Sequence, residues 1–293
     1  MPAKILVVGN NKGGVGKTFV SKSIAEYASI IANLKVLLLD LDPQTNLSRR
    51  YLDMDLMTDG SNDYAPPRHP DWQTEEADDW DGYSDTADVW LKGFAVPYPT
   101  QYPRLEIIPS HAKKLQSIEL VREQAVHEEV VRWLRAFLHL DEVRNNYDLV
   151  VIDTRPSKGP LVQAAMYAAS HLLIPSEMEA PSVEGLHGML SVRSQANLQR
   201  AKGDQLTLVG VLPNKVRKGT RIHDEFLALL REDEQIGPVM LTNSLNDWVG
   251  YKESMVFGAP SIFEGSRTDR LRRQLEDVCR EALTKIGCDQ VTW

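Results

Sequence analysis

Two lysines, three glycines and a threonine stand together at residues 12–18, in the order KGGVGKT. Residues of these types, so spaced, hold phosphate. Glycines let successive backbone N–H groups turn toward one anion, and a helix starting where the turn ends adds partial positive charge. Lys17 then sets an ammonium against the terminal phosphates, and the Thr18 hydroxyl is placed to ligate Mg²⁺. Gly13, Gly14, Val15, Gly16 and Phe19 supply the backbone cradle. The alternative is an ordinary glycine turn with two solvated lysines. Carboxylates occur at two further places. Asp153 ends the apolar run LVVI, where an acid at the end of a buried strand can hold Mg²⁺ through water. Asp40 and Asp42 end a second apolar run, in LDLDPQTN.

These groups need elements to position them. Residues 5–8 form a short apolar run that predicts a buried strand, and the glycine turn follows at once. From 18 to about 31 the apolar residues Val20, Ile24, Tyr27, Ala28 and Ile31 recur at helical spacing. Residues 36–39 predict the next strand. Strand, glycine turn, helix is the context a phosphate loop requires. The strict pattern G-x-x-x-x-G-K-[ST] fails at one position, where Asn11 stands, and the turn carries the extra Lys12.

Further along, strands are expected at LEII, DLVVID, 172–175 and LTLVGVLPN. Helices are expected at 113–140, 161–169, 183–200, 224–231 and 269–285, with a basic helical stretch from Lys215. Strands alternating with helices over short links predict an α/β fold: a mostly parallel sheet with helices on both faces, in one domain spanning 1–293. The exception is an acidic, Pro- and aromatic-containing insertion at about 53–103 that keeps no period. It reads as a surface loop, or else as a segment whose Trp72, Trp80 and Tyr83 dock onto a basic partner or fold back onto the body.

The net charge of −8 argues against a nucleic-acid partner until it is divided by region. Residues 53–88 hold twelve Asp or Glu and a single basic residue, Arg68, a balance of −11. The rest of the chain is therefore at +3, the difference between −8 and −11. Lys215, Arg217, Lys218 and Arg221 crowd one stretch. Such a cluster can neutralise DNA backbone phosphates without reading sequence, or it is a solvated face. The two cysteines, Cys279 and Cys288, match no metal or redox spacing and are expected as free thiols. A strand close to the start leaves no signal peptide, and no apolar run reaches membrane-spanning length, so a cytoplasmic protein is expected.

KGGVGKT with its second lysine resembles the deviant Walker A loop of the ParA/MinD family of ATPases. LEIIPS, the pair Glu184–Gly185 and YKESMVFGAP at 251–260 are similar to segments of ParA-type partition ATPases. The resemblance implies a P-loop NTPase fold, ATP and Mg²⁺ as cofactors, and an ATP-sandwich homodimer in which Lys12 reaches the partner's nucleotide. Asp153 becomes the Walker B acid. Asp42 orients the attacking water, and Asp40 supports Mg²⁺ or holds the switch, with a strand-end cap as its alternative. Asn214 reads adenine, or else simply forms the turn after a strand. The resemblance further implies nucleoid association through non-specific DNA and a ParB-type centromere-binding adaptor that stimulates slow hydrolysis. Two positions depart from the family pattern: Phe19 replaces a second Thr, and Arg155 stands in DTRPS where two prolines are usual. Cargo positioning on another assembly, or a MinD-like cycle on a membrane, is the alternative. The membrane version needs an amphipathic basic C-terminal helix, whereas LRRQLEDVCREALTKIG mixes acids into its face. An iron-protein reductase would need cluster-ligating cysteines, and Cys279 and Cys288 lie in the wrong region.

Overall fold

The computed structural model describes residues 2–58, 60–72, 80–121, 123–217, 219–266 and 268–288. Nine strands occur among them: β1 (Lys4–Val8), β2 (Val36–Asp40), β3 (Asp55–Leu56), β4 (Tyr64–Ala65), β5 (Tyr98–Pro99), β6 (Leu105–Ile108), β7 (Leu149–Asp153), β8 (His171–Glu177) and β9 (Thr207–Asn214). Seven build one sheet in the order β5-β6-β2-β7-β1-β8-β9, while β3 and β4 pair separately as an antiparallel ribbon. Every pairing in the large sheet is parallel except that of the edge strand β5 with β6.

The apolar runs become central strands because both faces of this sheet are covered. Along β1, Ile5 and Val7 enter one core cluster with Leu134, Val162 and Met189, from helices Gln124–Leu138, Pro160–Ala168 and Ala180–Leu198. Leu6 and Val8 point the other way, to Val20 and Ile24 of helix Lys17–Glu26 and Leu275 and Val278 of helix Arg270–Ile286. The period of two thus divides one strand between two cores. The last helix commits its apolar face to the body: Leu275, Val278, Ala282, Leu283 and Ile286 are all buried.

Three expectations change. The single helix over 113–140 is two helices, Ala112–Glu119 and Gln124–Leu138. The chain breaks where Glu119 turns to accept hydrogen bonds from Ser157 Oγ (2.6 Å) and the Leu161 N–H (3.3 Å). No helix starts at Lys215, which takes a left-handed φ of 53°, and the next helix runs Arg221–Glu232. Finally, the stretch from 84 onward is no surface loop. Ala87, Val89 and Tyr98 are buried, Thr86 Oγ1 donates to the Asp40 carbonyl (2.7 Å), and β5 extends the main sheet. Trp72 and Trp80 pack against their own neighbours: Trp72 Nε1 donates to the Trp80 carbonyl (3.1 Å), and the Trp80 ring lies 5.4 Å from His69, whose ring is 4.6 Å from Tyr98.

Candidate functional site

The carboxyl ends of β1, β2 and β7 bring the singled-out residues together. The phosphate loop leaves β1 and enters helix Lys17–Glu26 at Gly16, whose φ of 89° is left-handed. A Cβ there would lie 2.3 Å from Asn214 Nδ2, so glycine is required twice over, by backbone angle and by space. Asn214 closes β9 against this loop: its Nδ2 donates to the Val15 carbonyl (2.7 Å).

Lys17 is buried and folds over the loop, donating to the Lys12 carbonyl (3.1 Å). Burial lowers its pKa, opposed by the negative charges of Asp153 and Asp42. Asp153 has no exposed surface. Its Oδ1 accepts from Ser21 Oγ (3.0 Å), and Thr18 also hydrogen-bonds to the carboxylate. Oδ2 is buried with no hydrogen-bond partner. Burial first, then the neighbouring Asp40, pushes the Asp153 pKa up to about 8, against the hydrogen bonds from Thr18 and Ser21. A buried carboxylate with one orphan oxygen beside a threonine hydroxyl fits a site for a hard divalent cation, which takes oxygen donors and reverses that electrostatic penalty.

Asp40 pairs in register with Asp153 on the adjacent strand. Its oxygens already accept four hydrogen bonds: from Asp42 N (3.0 Å), Ser48 N (2.9 Å), Ser48 Oγ (2.7 Å) and Ser110 Oγ (3.2 Å). Asp42 accepts from the Gln44 N–H (3.0 Å). Its pKa is raised by burial, with Gln44, Arg155 and Lys17 opposing. The turn that follows Asp42 contains Thr45 at φ 56°, a conformation costly for a β-branched residue, with its hydroxyl buried and unpartnered.

Lys12 lies 3.2 Å from Glu177 Oε2 and 3.5 Å from Glu179 Oε1. Glu177 also takes Lys215 on its other oxygen (2.8 Å), and Lys215 Nζ hydrogen-bonds to the Gly14 carbonyl. Burial would raise the Glu177 pKa, but Lys215, Glu179 and Lys12 together hold it below the usual range. Beside the loop lies a cavity of about 360 Å³ bordered by Gly16, Thr18, Phe19, Asn214, Trp248 and Tyr251. Phe19 packs on Tyr251 with ring centroids 4.8 Å apart. The residue replacing a threonine therefore gives this cavity an aromatic wall.

A family model described as an AAA domain, AAA_31, matches residues 3–207, more than half of the chain. The Soj protein of Bacillus subtilis, a sporulation initiation inhibitor, is 31% identical over 71% of this chain and 71% of its own length. The chain belongs to the ParA/MinD family of P-loop ATPases. It is also 31% identical to an IncC protein of Escherichia coli over 73% of this chain, and spans about half of that relative's length (51%). Among solved structures, apo McdA of Cyanothece superposes with a TM-score of 0.73 at 21% identity, covering 96% of this chain and 99% of that one. A Borrelia burgdorferi B31 protein described as a plasmid partition protein, bound to AMPPNP, gives 0.71 at 18% identity, covering 97% and 99%. At these identities the structures speak for the fold, a P-loop NTPase type with a mostly parallel sheet.

The basic stretch is less free than its sequence suggests. Lys215 belongs to the phosphate loop and Glu177. Arg217 lies against Asp247 (3.0 Å) and Arg221 against Glu225 (2.6 Å). Lys218 lies outside the described residues. Sequence reasoning missed a buried ionic network behind the loop. Lys22, Glu26 and Arg50 are all fully buried, with Glu26 3.2 Å from Lys22 and 3.4 Å from Arg50. Ser261 and Tyr51 donate to the same carboxylate (2.6 and 3.1 Å), and Lys22 donates to Ser254 Oγ (3.1 Å). The network ties the loop helix to helix Ser48–Tyr51 and to the segment 254–261.

Proposed function

We propose that the chain is an ATP-dependent DNA partition ATPase, binding Mg·ATP at the phosphate loop and cycling between a monomer and an ATP-sandwich homodimer. The observation that carries this is the convergence of Lys17, Thr18 and the orphan Oδ2 of Asp153 beside a loop bearing a second lysine. The backbone of residues 13–18 holds the phosphates, Lys17 leaves the Lys12 carbonyl for the terminal phosphates, and Asn214 faces the base. Thr18 and Asp153 would hold Mg²⁺, which would supply positive charge against the nucleotide's phosphates. Asp42 orients the attacking water. Asp40, occupied by four donors, fixes the turn that presents Asp42.

Lys12 completes the partner's site after leaving Glu177, as an arginine finger does in trans. The dimer holds non-specific DNA through Arg217, Lys218 and Arg221, and a ParB-type adaptor speeds hydrolysis and release. The partition reading draws on the similarity to Soj and to the Borrelia protein, and the apolar face of helix Arg270–Ile286 is occupied by the body rather than free for a membrane. Among the described residues no helix is long and apolar enough to cross one.

Phosphate release and nucleotide binding, measured together, test this. Lys17→Ala should lose ATP affinity. Asp42→Ala should bind ATP and fail to hydrolyse it. The same defect in both at saturating ATP contradicts the division of roles.

A further inference from the structure

Arg155 sits two residues past Asp153, in the loop that returns the chain from β7 to helix Pro160–Ala168. This loop lies against the phosphate loop: a Cβ at Gly13 would be 3.7 Å from Pro156 Cγ. The Arg155 side chain is one-third exposed, and its Nε stands 3.9 Å from Glu119 Oε1. That separation is an ion pair without a hydrogen bond, and Nε is buried with no partner. Glu119 is meanwhile engaged by Ser157 Oγ and the Leu161 N–H, which hold the far side of the same loop. The positive charge of Arg155 also favours the charged form of Asp42, against the burial that raises its pKa. A guanidinium, with five donors in a planar fork, is thus left under-used beside Glu119 in a loop that lies against the phosphate loop.

We propose that Arg155 binds the γ-phosphate in cis, its guanidinium leaving Glu119 for the terminal oxygens when a nucleoside triphosphate enters. A planar fork suits phosphate oxygens bidentately, and a diphosphate offers no such group at that distance from the loop. Because Ser157 and Glu119 anchor the same loop, this transfer makes residues 154–159 responsive to triphosphate against diphosphate. Glu119 acts as the competing acceptor that parks the guanidinium before the triphosphate arrives.

The inference rests on the nucleotide site proposed above, and the test separates the two. Equilibrium binding of fluorescent ATP and ADP analogues, with Mg²⁺, is measured for wild type, Arg155→Ala, Arg155→Lys and Glu119→Gln. Thermal unfolding without nucleotide reports folding. Arg155→Ala should weaken the ATP analogue tenfold or more and leave the ADP analogue within about twofold. Arg155→Lys, which keeps the charge without the fork, should fall between. Glu119→Gln should tighten the ATP analogue alone. If Arg155→Ala and Arg155→Lys leave the ATP-to-ADP ratio at the wild-type value, Arg155 is a structural partner of Glu119 and the proposal is overturned. If the wild type binds neither nucleotide, the site itself is refuted and this inference with it.

Discussion

Lys12 and Lys215 share one carboxylate: Glu177 holds the first through Oε2 at 3.2 Å and the second through Oε1 at 2.8 Å. The lysine proposed to reach a partner's nucleotide is therefore engaged within its own chain, and the proposed dimerisation would break that pair. Partly exposed ion pairs contribute about 0–1 kcal/mol. Glu177→Gln should accordingly lower the ATP concentration for half-maximal dimerisation by about two- to fivefold. Scattering intensity against ATP concentration measures it. A higher ATP requirement in the variant would mean that Glu177 supports the active conformation rather than restraining Lys12.

Glu26 is the hub of the buried network. Replacing it by Gln keeps the volume but leaves Lys22 and Arg50 buried without an anion. Breaking a buried pair in this way costs about 3–5 kcal/mol. At about 2–4 °C per kcal/mol for a chain of this size, the midpoint should fall by roughly 10 °C. Glu225→Gln, which removes the exposed partner of Arg221, should change stability by less than about 0.5 kcal/mol. Equal effects from the two variants would show that burial does not set the worth of these charges.

Thr45→Gly should stabilise the nucleotide-free protein by about 1 kcal/mol or leave it unchanged, although glycine usually destabilises. The native φ of 56° is strained for threonine and ordinary for glycine. Chemical denaturation would detect the sign. A loss above about 1 kcal/mol would place the stabilising role in the threonine side chain itself.

The parts of the site that sequence reasoning reached are those whose chemistry is local. The phosphate loop, Asp42 and Asp153 sit at strand ends, and the apolar runs before them already place each side chain at one edge of the sheet. What it missed depends on contacts distant in sequence. Nothing local in the sequence marks Lys22, Glu26 and Arg50 for burial; helix Ser48–Tyr51 and residues 254–261 close over them. Tyr98 lies in an acidic, proline-bearing stretch without a period, and only pairing with β6 makes it part of the sheet. Lys215 counts toward a basic cluster in the sequence, whereas its left-handed backbone turns the ammonium back to Gly14 and Glu177. The break after Glu119 is invisible to helical periodicity because its cause is the loop at 157–161.

DNA association should depend on nucleotide and on salt. Arg221 is 91% exposed in a surface pair that phosphates can displace, whereas Arg217 is held by two hydrogen bonds to Asp247. Two unrelated duplexes should be shifted equally with ATP and much less with ADP. Affinity should fall about tenfold or more over a few-fold rise in salt. Arg221→Ala should flatten the salt slope by about one unit. Weak binding that is equal in both nucleotide states, and unaffected by Arg217→Ala or Arg221→Ala, would make this stretch an ordinary solvated face.

The central claim is an ATP-switched dimer completed by Lys12, and its mass in solution tests that most directly. Multi-angle light scattering should give a monomer with ADP and a dimer with Mg·ATP. Asp42→Ala should remain dimeric for as long as ATP is present, and Lys12→Ala should stay monomeric. A wild-type mass identical in ATP and ADP, or a Lys12→Ala variant that dimerises and hydrolyses like the wild type, would contradict the account.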